Sequence, residues 1–267
     1  MQSWAIWARA GAGAAIIALA PAAAAQDAPV PRAASYAALA SLPDFGGVWG
    51  SDRRALGEAG PPARPQFTPA AQAQLDAFRA KQQAEGVSQF AQANCIPPGM
   101  PSVMNQPYPI SLAFQPGMVT IFAEAYAQQR RIYTDGRALP EDPDLLFNGT
   151  SVGRWEGDVL VVETVGFSPL TNLTMGIPNT PKTRIRERIW LQGADVLRIE
   201  TTITDPDMLA APYVTQAAYR RRPDWEIREY VCAENNRLES GEDGAADIDL
   251  GLDEEDPFGP LPGEGEE

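Results

Sequence analysis

Histidine is absent from the 267-residue chain. Zinc sites built on imidazole are therefore excluded, and so are the Ser-His-Asp and Cys-His catalytic arrangements. Any proton transfer near neutral pH has to use carboxylates, lysine, tyrosine or water. Phosphate-binding loops, dinucleotide fingerprints and nucleophile elbows are missing from the sequence as well. The sequence therefore predicts neither a metal site nor a cofactor.

Long apolar runs are also lacking. Near the N-terminus, Arg9 precedes the short apolar run AGAGAAIIALA and then the small-residue segment PAAAAQDAPV. This order is typical of a secretory signal peptide, and the run is shorter than the roughly 20 residues that span a bilayer. We therefore predict a signal peptide over residues 1–25 and an Ala- and Pro-rich linker over residues 26–43. The mature protein is expected to be periplasmic or secreted, without a membrane span.

Cysteine is scarce, with Cys95 and Cys232 as the only pair. An oxidising compartment favours a disulfide between two such residues, whereas two free thiols are the alternative. The bridge would join the Pro-rich segment NCIPPGMP to the end of the last predicted strand. The sequence thus predicts a structural cross-link.

Basic residues are missing from the C-terminal segment. From Leu238 to the end the chain has 12 acidic residues and no basic one. Without that segment the chain keeps 23 acidic residues (35 − 12) against 21 basic ones. This near-neutral body lacks the basic surface of a nucleic-acid-binding protein. High charge with little apolar content predicts a disordered acidic tail over residues 237–267.

The part of the chain between these two ends reads as consecutive antiparallel hairpins. Four hairpins are predicted from these paired segments: MVTIFAEAY with QRRIYTDGR, the strands around Val152 and Leu160, TRIRERIWLQ with DVLRIETTITD, and YVTQAAYRRR with WEIREYVC. An earlier strand is predicted at GGVW, and a short helix is predicted to begin at Pro69 and to end at Gly86. Together these elements indicate one all-β domain over residues 44–236, a barrel or sandwich, with a lipocalin-like barrel favoured.

Four of the predicted strands carry a carboxylate among apolar residues. These residues are Glu124, Glu163, Glu187 and Glu229. Side chains alternate between the two faces of a strand, so Glu187 shares the inward face of Ile185 and Ile189. The strand of Glu163 is apolar on both faces, and its inward side is not assigned by the pattern.

Buried carboxylates need partners, because a lone buried charge is costly. Arg131, Arg154 and Arg220 are the candidate partners on neighbouring segments. Either these residues form a buried ion-pair network that closes the barrel, or the carboxylates line a wet cavity. Clustered carboxylates in a cavity would have different pKa values and would supply an acid and a base.

Three functional hypotheses follow from this pattern. The first is a barrel that binds a small, partly apolar ligand, with pocket residues drawn from Tyr133, Trp155, Glu163 and Trp190, and with Glu187 and Glu229 beside them. The second is a hydrolase, lyase or isomerase, in which Glu187 or Glu229 is the base and Arg131 or Arg154 holds an anionic substrate group. The third is a structural envelope protein.

Several segments resemble a large, uncharacterised family of secreted bacterial proteins. The segments that carry the resemblance are RRIYTDGRALP, SVGRWEGDVLVVETVGF, RIRERIW, DVLRIETTITDP, EYVCAEN and NCIPPGMP. Members often have histidine after the Asp-Gly-Arg triplet and before the Trp-Glu-Gly-Asp hairpin, where this chain has Ala138 and Thr150. The resemblance implies a secreted β-rich domain and implies no particular activity.

Overall fold

The computed structural model of the protein describes residues 35–57, 64–85, 95–174, 176–232, 238–240 and 246–248. Strands dominate the described residues, and the predicted all-β class is confirmed. The predicted signal peptide lies outside these residues, as does most of the predicted acidic tail. Within the described part of the chain, none of the helices has the length and apolarity of a membrane-crossing segment.

Nine strands of the described chain close into one barrel. Their bounds are β1 (Gly47–Ser51), β2 (Ile110–Gln115), β3 (Met118–Ala123), β4 (Gln128–Tyr133), β5 (Thr150–Glu156), β6 (Val159–Val165), β9 (Arg184–Leu191), β10 (Val196–Thr204) and β11 (Tyr213–Arg221). Their order around the barrel is β1-β11-β10-β9-β6-β5-β4-β3-β2. The predicted hairpins β3–β4, β5–β6 and β9–β10 are all present, and so is the early strand β1.

The barrel closes through β1, which pairs antiparallel with both β2 and β11. Every neighbouring pair is antiparallel except β4 and β5, which run parallel. A parallel pair needs a long connection, which residues 134–149 provide. Closure leaves no unpaired strand edge in the barrel.

The fourth predicted hairpin is wrong in its second strand. Tyr213–Arg221 forms β11, but the following WEIREYVC segment is irregular. Both edges of β11 are already paired, with β10 on one side and β1 on the other. Trp225 and Val231, which the alternation placed inward, are instead 42% and 38% exposed.

The barrel interior is packed with the inward-facing side chains of these strands. Its largest fully buried members include Trp49, Ile110, Ile121, Ile132, Leu160 and Tyr219. Gly153 makes room for them on β5, because a Cβ there would lie 2.7 Å from a methyl of Ile132. A tight Gly157 turn with φ +61° joins β5 to β6, and this conformation favours glycine.

Six further elements lie outside the barrel sheet. They are α1 (Tyr36–Leu39), α2 (Pro69–Glu85), β7 (Asn172–Thr174), β8 (Ile177–Pro178), β12 (Leu238–Ser240) and β13 (Ala246–Ile248). Helix α2 starts at Pro69 as its punctuation predicts, and the Thr68 hydroxyl accepts a hydrogen bond from the Ala71 amide at 3.2 Å. Strands β12 and β13 pair with each other inside the segment predicted as tail.

The predicted disulfide between Cys95 and Cys232 is confirmed. Their Cα atoms lie 5.6 Å apart across a sequence separation of 137 residues. The bridge joins the segment that precedes the barrel strand β2 to the irregular segment that follows β11. A covalent link across so long a loop limits the conformations of the unfolded chain.

Candidate functional site

The barrel interior contains one buried ion pair, between Arg130 of β4 and Glu187 of β9. Alternation places Glu187 between the buried Ile185 and Ile189, and Arg130 two residues before the buried Ile132. The guanidinium contacts both carboxylate oxygens, and its Nη1 donates to Oε1 at 3.0 Å. Glu187 is fully buried and Arg130 is 3% exposed. Such two-point contact is the strongest geometry for this pair of groups.

Two hydroxyl groups complete the surroundings of this ion pair. Arg130 Nη2 donates to Thr164 Oγ1 at 3.0 Å, and Ser151 Oγ lies 3.4 Å from the same guanidinium. The two hydroxyl oxygens are themselves 2.9 Å apart. The charged groups are therefore hydrogen-bonded as well as paired, as burial of charge requires.

The negative charge of the Glu187 carboxylate also acts on the buried Tyr219. Its hydroxyl donates to the carbonyl oxygen of Met104 at 2.7 Å. Complete burial raises the pKa of Tyr219, and the negative charge of Glu187 raises that pKa further. Tyr219 therefore stays neutral and serves as a fixed hydrogen-bond donor.

Glu163 and Arg154 lie on the outer face of the barrel, not in its interior. On β6 the inward residues are Leu160, Val162 and Thr164, because these pair with the inward residues of β9. Glu163 Oε1 instead accepts from Arg154 Nη1 at 3.2 Å, and both side chains are about half exposed. Their network continues outward to Glu156 and Arg188.

Glu229 and Arg131 are both exposed. Glu229 belongs to the irregular segment after β11, and Arg131 points outward from β4, where it pairs in register with Thr120. The structure thus brings none of the predicted carboxylates Glu163, Glu187 and Glu229 together. Among the described residues, no group of three Asp, Glu, Cys or His side chains is placed to hold a metal ion.

The aromatic candidates lie apart from one another. Trp155 faces inward at the end of β5, where its ring centroid lies 5.5 Å from that of Phe45 and 6.3 Å from that of Phe114. Its buried Nε1 has no hydrogen-bond partner among the described residues. Tyr133 and Trp190 are half-buried and lie beneath arginines, with the Arg137 guanidinium 3.8 Å from the Tyr133 ring centre.

The mouth of the barrel where β10 ends and β11 begins contains a cleft of about 510 Å³. Its lining residues are Arg53, Pro101, Ser102, Asn105, Gln106, Asn172, Leu173, Thr174, Ile203, Tyr213 and Thr215. We call this set the mouth cleft. Ile203, Tyr213 and Thr215 belong to the inward faces of β10 and β11. The short helical turn Ser102–Asn105 and strand β7 form the opposite wall.

The mouth cleft combines apolar surface with uncharged polar groups and one charged side chain, Arg53. Leu173 and Ile203 supply buried aliphatic surface, whereas Ser102, Asn172 and Thr174 supply donors and acceptors at half-buried positions. Burial raises the pKa of the Tyr213 hydroxyl, which therefore remains protonated at neutral pH. Small-molecule sites typically have this mixture and a volume in this range.

The sequence pattern missed Arg130 and all the lining residues of the mouth cleft. Arg130 lies two residues before Ile132, so its inward direction could have been predicted from the alternation of β4. The cleft residues come from five separate parts of the chain, and no local pattern joins them. Compared with models of protein families and with curated proteins, the sequence matches none of them.

Proposed function

We propose that this protein binds a small, partly apolar ligand in the mouth cleft. The cleft itself carries this proposal, because its size and its mixed lining suit such a ligand. The interior leaves little room for a ligand, because the ion pair of Arg130 and Glu187 and the packed core fill it. The ligand would therefore bind at the barrel end and not deep inside.

An exported location is part of the same proposal. The disulfide between Cys95 and Cys232 supports an oxidising compartment, as does the signal-like N-terminal sequence. The resemblance to secreted bacterial proteins points the same way. Mass spectrometry of protein recovered from the periplasm or medium should show a mature chain that begins at Gln26. A chain that retains residues 1–25 in the cytosol would contradict export.

A neutral probe tests the cleft directly. Nile red carries no charge, and its fluorescence rises in apolar surroundings, so we expect saturable binding of one probe per chain. Thr174→Phe fills part of the cleft with an aromatic ring and should weaken binding about tenfold or more, equivalent to at least about 1.4 kcal/mol. Thr120→Phe is the matched control, because Thr120 is half-buried on the outer face of β3.

The proposal predicts different effects of the two substitutions on Nile red binding. Weaker binding by Thr174→Phe with unchanged binding by Thr120→Phe supports the cleft. Absence of saturable binding, or equal binding by both variants, overturns it. In that case the tightly packed barrel interior would favour the third hypothesis, a structural envelope protein.

The enzymatic alternative has less support from the geometry. The mouth cleft contains no carboxylate among its lining residues, and Glu187 is sealed below the surface by Arg130. Carboxylate acid–base catalysis needs two such groups within reach of one substrate. Ligand binding is therefore the function that the described residues support best.

A further inference from the structure

A second hollow lies outside the barrel, beside the ends of β1 and β11. It has a volume of about 580 Å³ and is lined by Ser51, Asp52, Arg53, Arg54, Arg220 and Arg222. We call this set the arginine hollow. Its four guanidinium groups and one carboxylate give a net charge of +3 (4 − 1). Only Arg53 is shared with the mouth cleft, which otherwise has an uncharged lining.

Asp52 accepts hydrogen bonds from two residues of the arginine hollow, but its single negative charge does not neutralise the four arginines. Its Oδ1 accepts a hydrogen bond from the Arg54 amide at 3.1 Å, and its Oδ2 accepts from Arg220 Nε at 2.8 Å. The hydrogen bond from Arg220 is the main cause of the lowered pKa of Asp52, so this carboxylate stays ionised. Among the described residues Arg220 donates through Nε alone, which leaves its two Nη groups available as donors.

Arg222 is held in place by an aromatic ring, and its Nε has no polar partner within the described part of the chain. Its guanidinium lies over the Trp225 ring, 4.6 Å from the ring centre. Gly50 allows this packing, because a Cβ there would lie 2.9 Å from Trp225 and 3.3 Å from Arg222. The buried Nε of Arg222 has no hydrogen-bond partner among the described residues. An unpaired buried donor is costly, and an acceptor in the hollow would relieve that cost.

The remaining arginines also present unused donors. Arg53 and Arg54 are exposed, and their guanidinium groups make no hydrogen bond or ion pair with other described side chains. Ser51 adds a hydroxyl to the same wall. Four arginines that share one carboxylate repel each other, so an anion bound among them would lower the electrostatic energy of the hollow.

We propose that the arginine hollow binds a phosphate group, either as inorganic phosphate or as the phosphate of a small monoester. A phosphate carries about −1.5 to −2 charges near neutral pH and offers several acceptor oxygens. Its geometry matches the planar fork of a guanidinium, which binds two oxygens at once. A carboxylate carries one charge and two oxygens, so it satisfies fewer of these donors. Arg53 lines both sites, but this proposal does not rest on the ligand proposed for the mouth cleft.

Isothermal titration calorimetry of the mature full-length chain tests this site. The probes are inorganic phosphate, glycerol 3-phosphate and acetate, compared at equal ionic strength. Phosphate should bind with one site per chain and at least about tenfold more tightly than acetate, since charged hydrogen bonds are lost with acetate. Tighter binding of glycerol 3-phosphate than of phosphate would assign the site to an ester, and equal or weaker binding would assign it to the free anion.

Substitutions localise the binding. Arg54→Gln and Arg222→Gln should each weaken phosphate binding about tenfold, because each removes a charged donor. Arg184→Gln is the matched control, since Arg184 is an exposed arginine on β9 outside the hollow. Thermal unfolding curves verify that each variant is folded. If Arg222→Gln does not fold, the Arg54→Gln variant alone tests the site, because Arg54 is exposed.

Three results would overturn the proposal. The first is a lack of saturable phosphate binding at millimolar concentration. The second is equal affinity for acetate and phosphate. The third is a loss of affinity in Arg184→Gln as large as in Arg54→Gln, which would indicate a general effect of surface charge. None of these results depends on whether Nile red binds in the mouth cleft.

Discussion

The two faces of the barrel wall use the same pair of residue types in different surroundings. Inside, Arg130 and Glu187 form an ion pair that is almost completely removed from solvent. Outside, Arg154 pairs with Glu163 and Glu156, and all three side chains are 40% or more exposed. Strands β6 and β9 contribute residues to both faces, so the contrast comes from side-chain direction alone.

The difference in burial changes what each pair contributes. Water and salt screen the outer pair, so its contribution to stability is small. The inner pair is weakly screened, but its formation required two charges to lose their hydration. An inner pair is therefore not a large source of net stability, yet the loss of one partner is severe. Substitutions at equivalent residues on the two faces can measure this contrast.

The largest effect is expected from Glu187→Gln. The substitution preserves the shape of the side chain but leaves the Arg130 charge buried and unpaired, which should lower the free energy of unfolding by about 3–5 kcal/mol. Urea denaturation followed by circular dichroism measures this loss. A loss below about 1 kcal/mol would show that Arg130 finds another partner or remains hydrated.

The double variant Arg130→Met/Glu187→Met separates burial of charge from packing. Both charges are removed together, so neither remains unpaired, and apolar replacement of a buried ion pair is often nearly neutral. We expect a smaller loss of unfolding free energy than in Glu187→Gln. An equal or larger loss would mean that the ion pair itself contributes strongly to net stability.

An intermediate effect is expected at Tyr219, which lies between the interior ion pair and the Met104 carbonyl. Burial raises its pKa above the ordinary value of 10.0, so the folded state holds the proton more tightly than the unfolded state. The associated stability is complete below about pH 10 and is lost as the pH rises further. Tyr219→Phe should cost about 1–3 kcal/mol at neutral pH, because the Met104 carbonyl loses its donor.

The pH dependence distinguishes the titration from the lost hydrogen bond. Urea denaturation at several pH values between 8 and 11 should show a shallower alkaline loss of stability in Tyr219→Phe than in the unsubstituted protein. Other tyrosines, such as Tyr213, also have raised pKa values, so part of the alkaline loss should remain. Identical slopes in the two proteins would contradict the assignment to Tyr219.

The smallest effect is expected from Glu163→Gln on the outer face. Arg154 and Glu163 are both about half exposed, so the loss should stay below about 1 kcal/mol. The difference from the unsubstituted protein should shrink further in 1 M salt, because the screening length falls to about 3 Å. A loss close to that of Glu187→Gln would remove the contrast between the two faces.

Much of the barrel could be predicted from local pattern. Alternation on β9 and β10 correctly separates their buried residues, Glu187 included, from their more exposed ones, since side-chain direction follows from the extended backbone. The same rule wrongly predicted a strand over residues 225–232. This segment alternates, but both edges of the neighbouring strand β11 are already paired. Strand pairing depends on which edges are free, and that is a property of the whole barrel.

The candidate site could be predicted only in part. Glu187 was identified as inward-facing, but Arg130 was not among its predicted partners, although the alternation of β4 places Arg130 on the same face as Ile132. The mouth cleft and the arginine hollow combine distant segments, so neither had a local signal.

The sequence alone determined the strands that alternate, the helix that begins at Pro69, Cys95 and Cys232 as the only cysteines that could pair, and the exclusion of imidazole chemistry. These features follow from backbone geometry and residue chemistry, which act over a few neighbouring residues or within one residue type. The tertiary structure decided the inward face of β6, the parallel pairing of β4 with β5, and the partner of Glu187. It also decided the positions of the mouth cleft and the arginine hollow. These features depend on contacts between residues far apart in the chain, and such contacts form only when the barrel closes.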